Sequence, residues 1–203
     1  MSDVGDLVSR ARAGDREAFR ELFRAHREDV TRLVFRMTGA TADVEDLVQE
    51  VFLQVHRSIG EFRGDARFST WLYRLTVNVV LMHRRAAKSR PHLVGEDAAA
   101  PPRELAPGPD EQVARGRRIE AFHRLVDRLS EKKRTVFVLH ELEGLSPAEI
   151  GKIVGAPVLT VRTRLFYARR EILAMMREEP ALAGILAGGS EELMTRGARG
   201  EST

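Results

Sequence analysis

Leu159, Arg162, Thr163, Phe166 and Arg170 recur at helical spacing, with Tyr167 and Arg169 beside them, so one ridge carries guanidinium forks, a hydroxyl and aromatic faces. A guanidinium can donate two parallel hydrogen bonds to the acceptor edge of guanine, and neighbouring cations pair with phosphates; these residue types suit the major groove of duplex DNA. A second set, Phe62, Arg63, Phe68, Ser69, Thr70, Trp71 and Tyr73, packs four aromatics, a cation and two hydroxyls into a dozen residues. Rings interleaved with cations and hydroxyls suit unpaired bases, which stack on the rings and leave their phosphates to the cations. Arg84, Arg85 and Lys88 follow as a basic end able to track a backbone. A third set, Glu45, Asp46, Gln49 and Glu50, makes an acidic and amide-bearing helix face, which is either solvated surface or a docking face for a basic partner helix.

The elements that must position these groups are helices. In LSPAEIGKIVGAPVLTVRTRLFYARREI (145–172), Ser146 falls at an N-cap, Pro147 at the first helical position and Glu149 where it closes a capping box. Ile150, Ile153 and Val154 form the first apolar stripe, Gly155-Ala156-Pro157 breaks it, and Val158, Val161, Leu165, Ala168 and Ile172 are the inward stripe of a second helix. Two helices joined by a tight turn, the second cationic outside, read as a helix-turn-helix, although a solvated hairpin of an all-α protein has the same pattern. In DVEDLVQEVFLQVHRSI (43–59), Val44, Leu47, Val48, Val51, Phe52 and Val55 lie on one stripe opposite the acidic face. In 61–88, Phe68, Trp71, Leu72, Leu75, Val79 and Met82 are in helical register, and by periodicity alone Trp71 reads as core.

Apolar spacing is helical throughout, with no period-two strand, so the fold class is all-α. Residues 89–113 hold five of the eight prolines among alanines, glycines and acidic residues, and read as a flexible linker. Net charge is +2 over 1–88, −3 over 89–113, +6 over 114–178 and −2 over 179–203, within a total of +3 for 203 residues. The basic block centred on the helix pair fits a phosphate-binding surface, because cations that displace counterions from DNA supply much of the affinity. Two small helical domains follow, 1–88 and 114–178, with a tail at 179–203 that reads as disordered. The chain has no cysteine, no apolar run resembling a signal peptide and no stretch long enough to span a membrane, so the expectation is a soluble cytoplasmic protein without membrane insertion.

The order and spacing of DVEDLVQEVF, FRGDARFSTWLYRLTVN and LSPAEIGKIVGAPVLTVRTRLFYARREI resemble the sigma-70 family of bacterial RNA polymerase initiation factors, specifically the extracytoplasmic-function (ECF) group that keeps only the second and fourth sigma domains. The resemblance implies a sigma-2-like domain and a sigma-4-like helix-turn-helix domain. It implies that Asp46, Gln49 and Glu50 dock on the clamp helices of the core polymerase's largest subunit, and that Phe62, Arg63, Phe68, Ser69, Thr70, Trp71 and Asn78 open and read the minus-10 element, with Arg84 and Arg85 on the DNA beyond. Arg162, Thr163, Phe166 and Tyr167 then face the minus-35 element, with Arg162 as the candidate for a bidentate guanine contact. The partners implied are core RNA polymerase, promoter DNA and an anti-sigma factor. Three positions depart from the family pattern: Met82 stands where a polar residue is usual, Leu159 where glycine is frequent and Tyr167 where a cation is common.

No catalytic constellation competes. His26, His56, His83, His92, His123 and His140 are scattered without metal-ligand spacing and there is no glycine-rich phosphate loop, so neither an enzyme nor a metal or cofactor is expected. The alternatives are a free-standing helix-turn-helix regulator of duplex operator DNA, which leaves residues 62–73 and 45–50 without a task, and an RNA-binding module, which lacks a recognisable fold signature.

Overall fold

The structure is a computed structural model that describes residues 4–39, 43–89 and 110–182. Eight α-helices, and no strand, occur among the described residues: α1 Val4–Arg12, α2 Arg16–Thr38, α3 Val44–Ser58, α4 Phe68–Ser89, α5 Asp110–Arg128, α6 Glu131–Phe137, α7 Pro147–Val154 and α8 Val158–Glu178. A 3-10 turn, Ile59–Glu61, follows α3, and a π turn, Val138–Leu142, follows α6. The described residues form two compact units, one holding α1 to α4 and α7, the other α5, α6 and α8.

The first unit begins with a closed turn. Gly14 takes φ 91°, which spares a side chain the left-handed strain, and Asp15 then caps α2 by accepting from the N–H groups of Glu17 at 2.9 Å and Ala18 at 3.1 Å. Arg10 holds the same carboxylate at 2.6 Å, and the Ala18 N–H and that guanidinium together keep Asp15 below the usual carboxylate range. Leu22, Val30, Leu33, Val34 and Met37 of α2 are buried and receive Leu47, Val48, Val51, Phe52 and Val55 of α3. On α4 the buried row is Phe68, Leu72, Thr76 and Val80, spaced by four, with Val77 and Val79 beside it. Thr76 is tolerated at 0% exposure because its hydroxyl donates to the Leu72 carbonyl at 2.9 Å. Met82, expected in the apolar register, is 67% exposed: the row that faces α2 and α3 passes through Thr76, which turns position 82 to solvent.

In the second unit α8 packs against α5 and α6. Val161, Leu165, Ala168 and Ile172 are buried as expected and Met176 continues the row, whereas Val158, also expected inside, is 39% exposed as the first residue of α8. Arg134 is 4% exposed, and its guanidinium donates to the carbonyls of Val126 at 3.1 Å, Leu129 at 2.9 Å and Asp127, closing the end of α5. α5 starts at Asp110, so residues 110–113, read from composition as linker, are helical. The rest of that linker, and the tail from 183 onward, lie outside the described residues.

Candidate nucleic-acid interface

Asp46, Gln49 and Glu50 are exposed on α3, as the stripe opposite them requires, and Leu53, one turn on, is 50% exposed on the same face. Glu45 at the edge pairs with Arg27 of α2 at 3.1 Å, and Glu50 lies 3.7 Å from Arg57, so Asp46, Gln49, Glu50 and Leu53 make one acidic, amide-bearing strip with an apolar end.

The aromatic segment is built by the exit from α3. The Phe62 N–H donates to the Ile59 carbonyl at 3.1 Å across the 3-10 turn, and Gly64, at φ 80°, turns the chain toward α4. Three rings meet there: Phe62 and Phe68 at 5.8 Å edge to face, Phe62 and Trp71 at 5.3 Å, and Phe68 and Trp71 at 5.6 Å. Phe68 is buried, with the His26 ring 5.3 Å behind it, whereas Phe62 and Trp71 are half-buried. Phe68 is therefore the anchor, and the other two rings keep surface open to a base. Burial holds the His26 imidazole below its usual pKa, with Asp29 opposing, and its Nε2 is buried with no protein partner. Phe62, Arg63, Thr70, Trp71 and Arg74 share the wall of one shallow hollow.

Along α4, Trp71, Arg74, Asn78, Met82 and Arg85 are spaced so that they continue one stripe away from the hollow. Ser69, Arg63 and Asn78 are exposed and Thr70 is half-buried. Sequence reading missed Arg74, an exposed cation three residues after Trp71 and four before Asn78; that spacing was the available signal. Arg84 is not simply a phosphate-facing cation: its guanidinium donates to the Met37 carbonyl at the end of α2, at 3.0 Å.

In the second unit the outward face of α8 presents Leu159, Arg162, Thr163, Phe166, Tyr167 and Arg170, all exposed. Phe166 and Tyr167 contact edge to face at 5.4 Å, and Lys133, which pairs with Glu171, places its ammonium 5.9 Å from the Tyr167 ring. Arg169 is partly buried against Glu141 at 2.6 Å, so its charge is compensated inside the unit. The Thr163 hydroxyl donates to the Leu159 carbonyl at 3.0 Å. α7, which precedes this helix in the chain, has the expected capping box: Glu149 N–H donates to Ser146 Oγ at 3.3 Å and Ser146 N–H to Glu149 Oε2 at 2.9 Å. Gly155 ends it in the left-handed conformation at φ 63°.

Family models match in the same order as these features: Sigma-70 region 2 over residues 22–90 and Sigma-70, region 4 over residues 119–172. The RNA polymerase sigma-H factor of Pseudomonas aeruginosa is 34% identical over 175 residues, spanning 82% of this chain and 90% of the relative. The ECF RNA polymerase sigma-E factor of Escherichia coli K12 is 35% identical over 173 residues, with the same two coverages of 82% and 90%. Among solved structures, CnrH in complex with the cytosolic domain of CnrY superposes with TM-score 0.61 at 23% identity, over 85% of this chain and 96% of that one. The sigma factor RpoE in complex with the anti-sigma factor NepR from Bartonella quintana gives the same TM-score of 0.61 at 17% identity, over 78% and 96%. Both show the shared fold. Two matched regions in sequence order, and sequence relatives covered over nine-tenths of their length, establish that this chain belongs to the sigma-70 family of RNA polymerase sigma factors, in its ECF group.

Proposed function

We propose that the chain is a dissociable promoter-specificity subunit, not an enzyme, which acts in the cytoplasm by joining core RNA polymerase, binding the minus-35 and minus-10 elements and assisting strand opening. The roles are assigned to the segments read from the sequence, 1–88 for docking and minus-10 work, 89–113 as tether, 114–178 for the minus-35 element and 179–203 as a tail, with the differences that α5 begins at Asp110 and that α7 clusters with α1 to α4. The observation that carries the reading is the ring cluster, in which a buried Phe68 supports two half-buried rings beside Arg63 and Arg74. A base pulled from the duplex costs a few kcal/mol to unstack, and such rings offset that cost by stacking. Asn78 and Arg85 extend the strand path, Ser69 and Thr70 add polar contacts at its start, and the exposed face of α8 supplies Arg162, Thr163, Phe166 and Tyr167 to the major groove.

Asp46, Gln49 and Glu50 are the docking residues for the clamp helices of the largest subunit. The Bartonella quintana neighbour was solved with an anti-sigma factor; sequestration by a partner of that kind, covering the faces around Gln49 and Arg162, is our reading of how this chain is controlled. The test is transcription in vitro with purified core polymerase, comparing the parent with the double variant Gln49→Lys, Glu50→Lys. Exposed substitutions of this sort change stability by under about 0.5 kcal/mol, so the variant stays folded while losing core binding and promoter-specific transcripts. Undiminished core affinity would remove the docking assignment, and no promoter-specific transcript from the parent would remove the function.

A further inference from the structure

Leu159 is 74% exposed, more than any other large apolar residue named on the described surface, and it lies in the first turn of α8. It is not alone there. Phe166, 59% exposed, lies seven residues on, and Thr163 lies between them with its hydroxyl proton committed to the Leu159 carbonyl at 3.0 Å. The outward side of Thr163 is thereby left with a methyl group and an acceptor oxygen, without a free donor. On the side of Arg162 toward the start of α8 the reading face therefore presents the Leu159 side chain and the Thr163 methyl, while the donors of Tyr167 and Arg170 lie further along the helix.

The major groove offers one apolar group, the C5 methyl of thymine. In a helix-turn-helix the first residues of the second helix meet the base edges. Leu159 precedes Arg162 by three residues, about 4.5 Å along the helix, which lies between one and two base-pair steps of about 3.4 Å. We propose that Leu159 reads thymine methyl groups in the base pairs next to the one contacted by Arg162, and so gives this chain a minus-35 preference for thymine there. The inference rests on α8 being the minus-35 reading helix. Protein partners are the competing occupant of an exposed leucine, but its position within the Arg162 ridge, in line with Thr163 and Phe166, favours the groove.

Replacement of thymine by deoxyuridine removes the methyl and nothing else, so it tests the contact directly. Holoenzyme assembled from the full chain first selects its minus-35 sequence from a randomised promoter pool; each selected thymine is then replaced in turn by deoxyuridine, and binding is compared for the parent and Leu159→Ala. The parent should lose about fourfold in affinity at one or two adjacent positions, the value expected for one methyl buried, and Leu159→Ala should bind thymine and deoxyuridine templates equally. Circular dichroism confirms that the variant is folded. A parent indifferent to deoxyuridine at every selected thymine, selection of no thymine beside the Arg162-dependent position, or a penalty that persists in Leu159→Ala would overturn the proposal while leaving minus-35 reading intact. Loss of core or inhibitor binding in Leu159→Ala with unchanged base preference would assign the leucine to a protein partner instead. A holoenzyme that selects no minus-35 sequence, or whose selection is unaltered by Arg162→Ala, would show that the underlying assignment of α8 had failed.

Discussion

Replacing Arg134 with Met keeps the length of the aliphatic stem but removes the fork that holds three carbonyls at the end of α5. Those carbonyls lie at and just beyond the last turn of α5, where a helix terminus leaves carbonyls short of internal partners, although that of Val126 also accepts the Leu129 N–H at 3.2 Å; the side chain that serves them is 5% exposed. A hydrogen bond from a charged donor contributes about 1.5 to 3 kcal/mol, but three from one guanidinium do not add in full, and burying the charge offsets part of the gain. The Asp127 carboxylate, 3.6 Å from Nε and 43% exposed, adds little because water screens it. The net loss for Arg134→Met should be about 3 to 5 kcal/mol, a large part of the roughly 5 to 15 kcal/mol that holds a domain together. Arg134→Lys keeps the charge without the planar fork and should fall between the variant and the parent. Native-state hydrogen exchange separates the two units: amides of α5, α6 and α8 should lose protection while those of α2 and α3 keep theirs. A Met variant within about 1 kcal/mol of the parent would refute the capping argument, as would equal loss of protection in α2 and α3.

Gly155→Ala should destabilise α7 by about 1 to 2 kcal/mol, and Gly155→Asn by less, because a Cβ there meets nothing within 4 Å and only the left-handed backbone is penalised; equal losses in urea unfolding would contradict this. The Glu149 carboxyl is held below its usual pKa by the Ser146 hydroxyl and then the Ser146 N–H. Its contribution is thus present above the ordinary carboxylate range and lost as pH falls through the depressed value, so the stability gap between the parent and Glu149→Gln should close in acid; a gap that widens there would reverse the argument. Phe62→Ala, which removes one half-buried ring of the cluster, should leave holoenzyme able to bind promoter duplex but slow to open it, and a premelted template should restore much of the loss. Normal permanganate reactivity in that variant would rule out the role given to Phe62.

Local signals were legible because their partners lie within a few residues. Ser146, Pro147 and Glu149 define the start of α7 in sequence and in space alike, and the α3 stripe is right because five buried positions recur within one helix. The failures occur where a distant element decides. Periodicity runs on through Val158 and Met82, but whether a neighbour still covers those positions is a tertiary fact, and it does not. Thr76 and Arg134 could not be read as buried, since each is tolerated inside only because of carbonyls whose position the sequence does not display. The start of α5 was missed because Asp110-Glu111-Gln112 resembles an acidic linker, while the same acidity also favours the first turn of a helix. The candidate site shows the same division: the exposure of Gln49, Arg162 and Phe166 and the burial of Phe68 follow from spacing, whereas Trp71, which periodicity reads as core and which is half-buried, and Arg84 as a cap do not.

The π turn at Val138–Leu142, closed by the Glu143 N–H on the Val138 carbonyl at 3.1 Å, amounts to one residue more than an α-helix would need. Such a turn is a length polymorphism caught inside a helix. Deleting one residue between 138 and 142 would let the same N–H close an ordinary α-turn on the Val138 carbonyl, four residues away instead of five, so everything beyond it keeps its direction relative to the anchored Arg134. The exit at Gly144, at φ 73°, would then still leave from the same side of the helix. The turn is therefore one residue of slack, and descendants of this gene should tolerate the loss of a residue here more readily than in the regular turns of α6 before it.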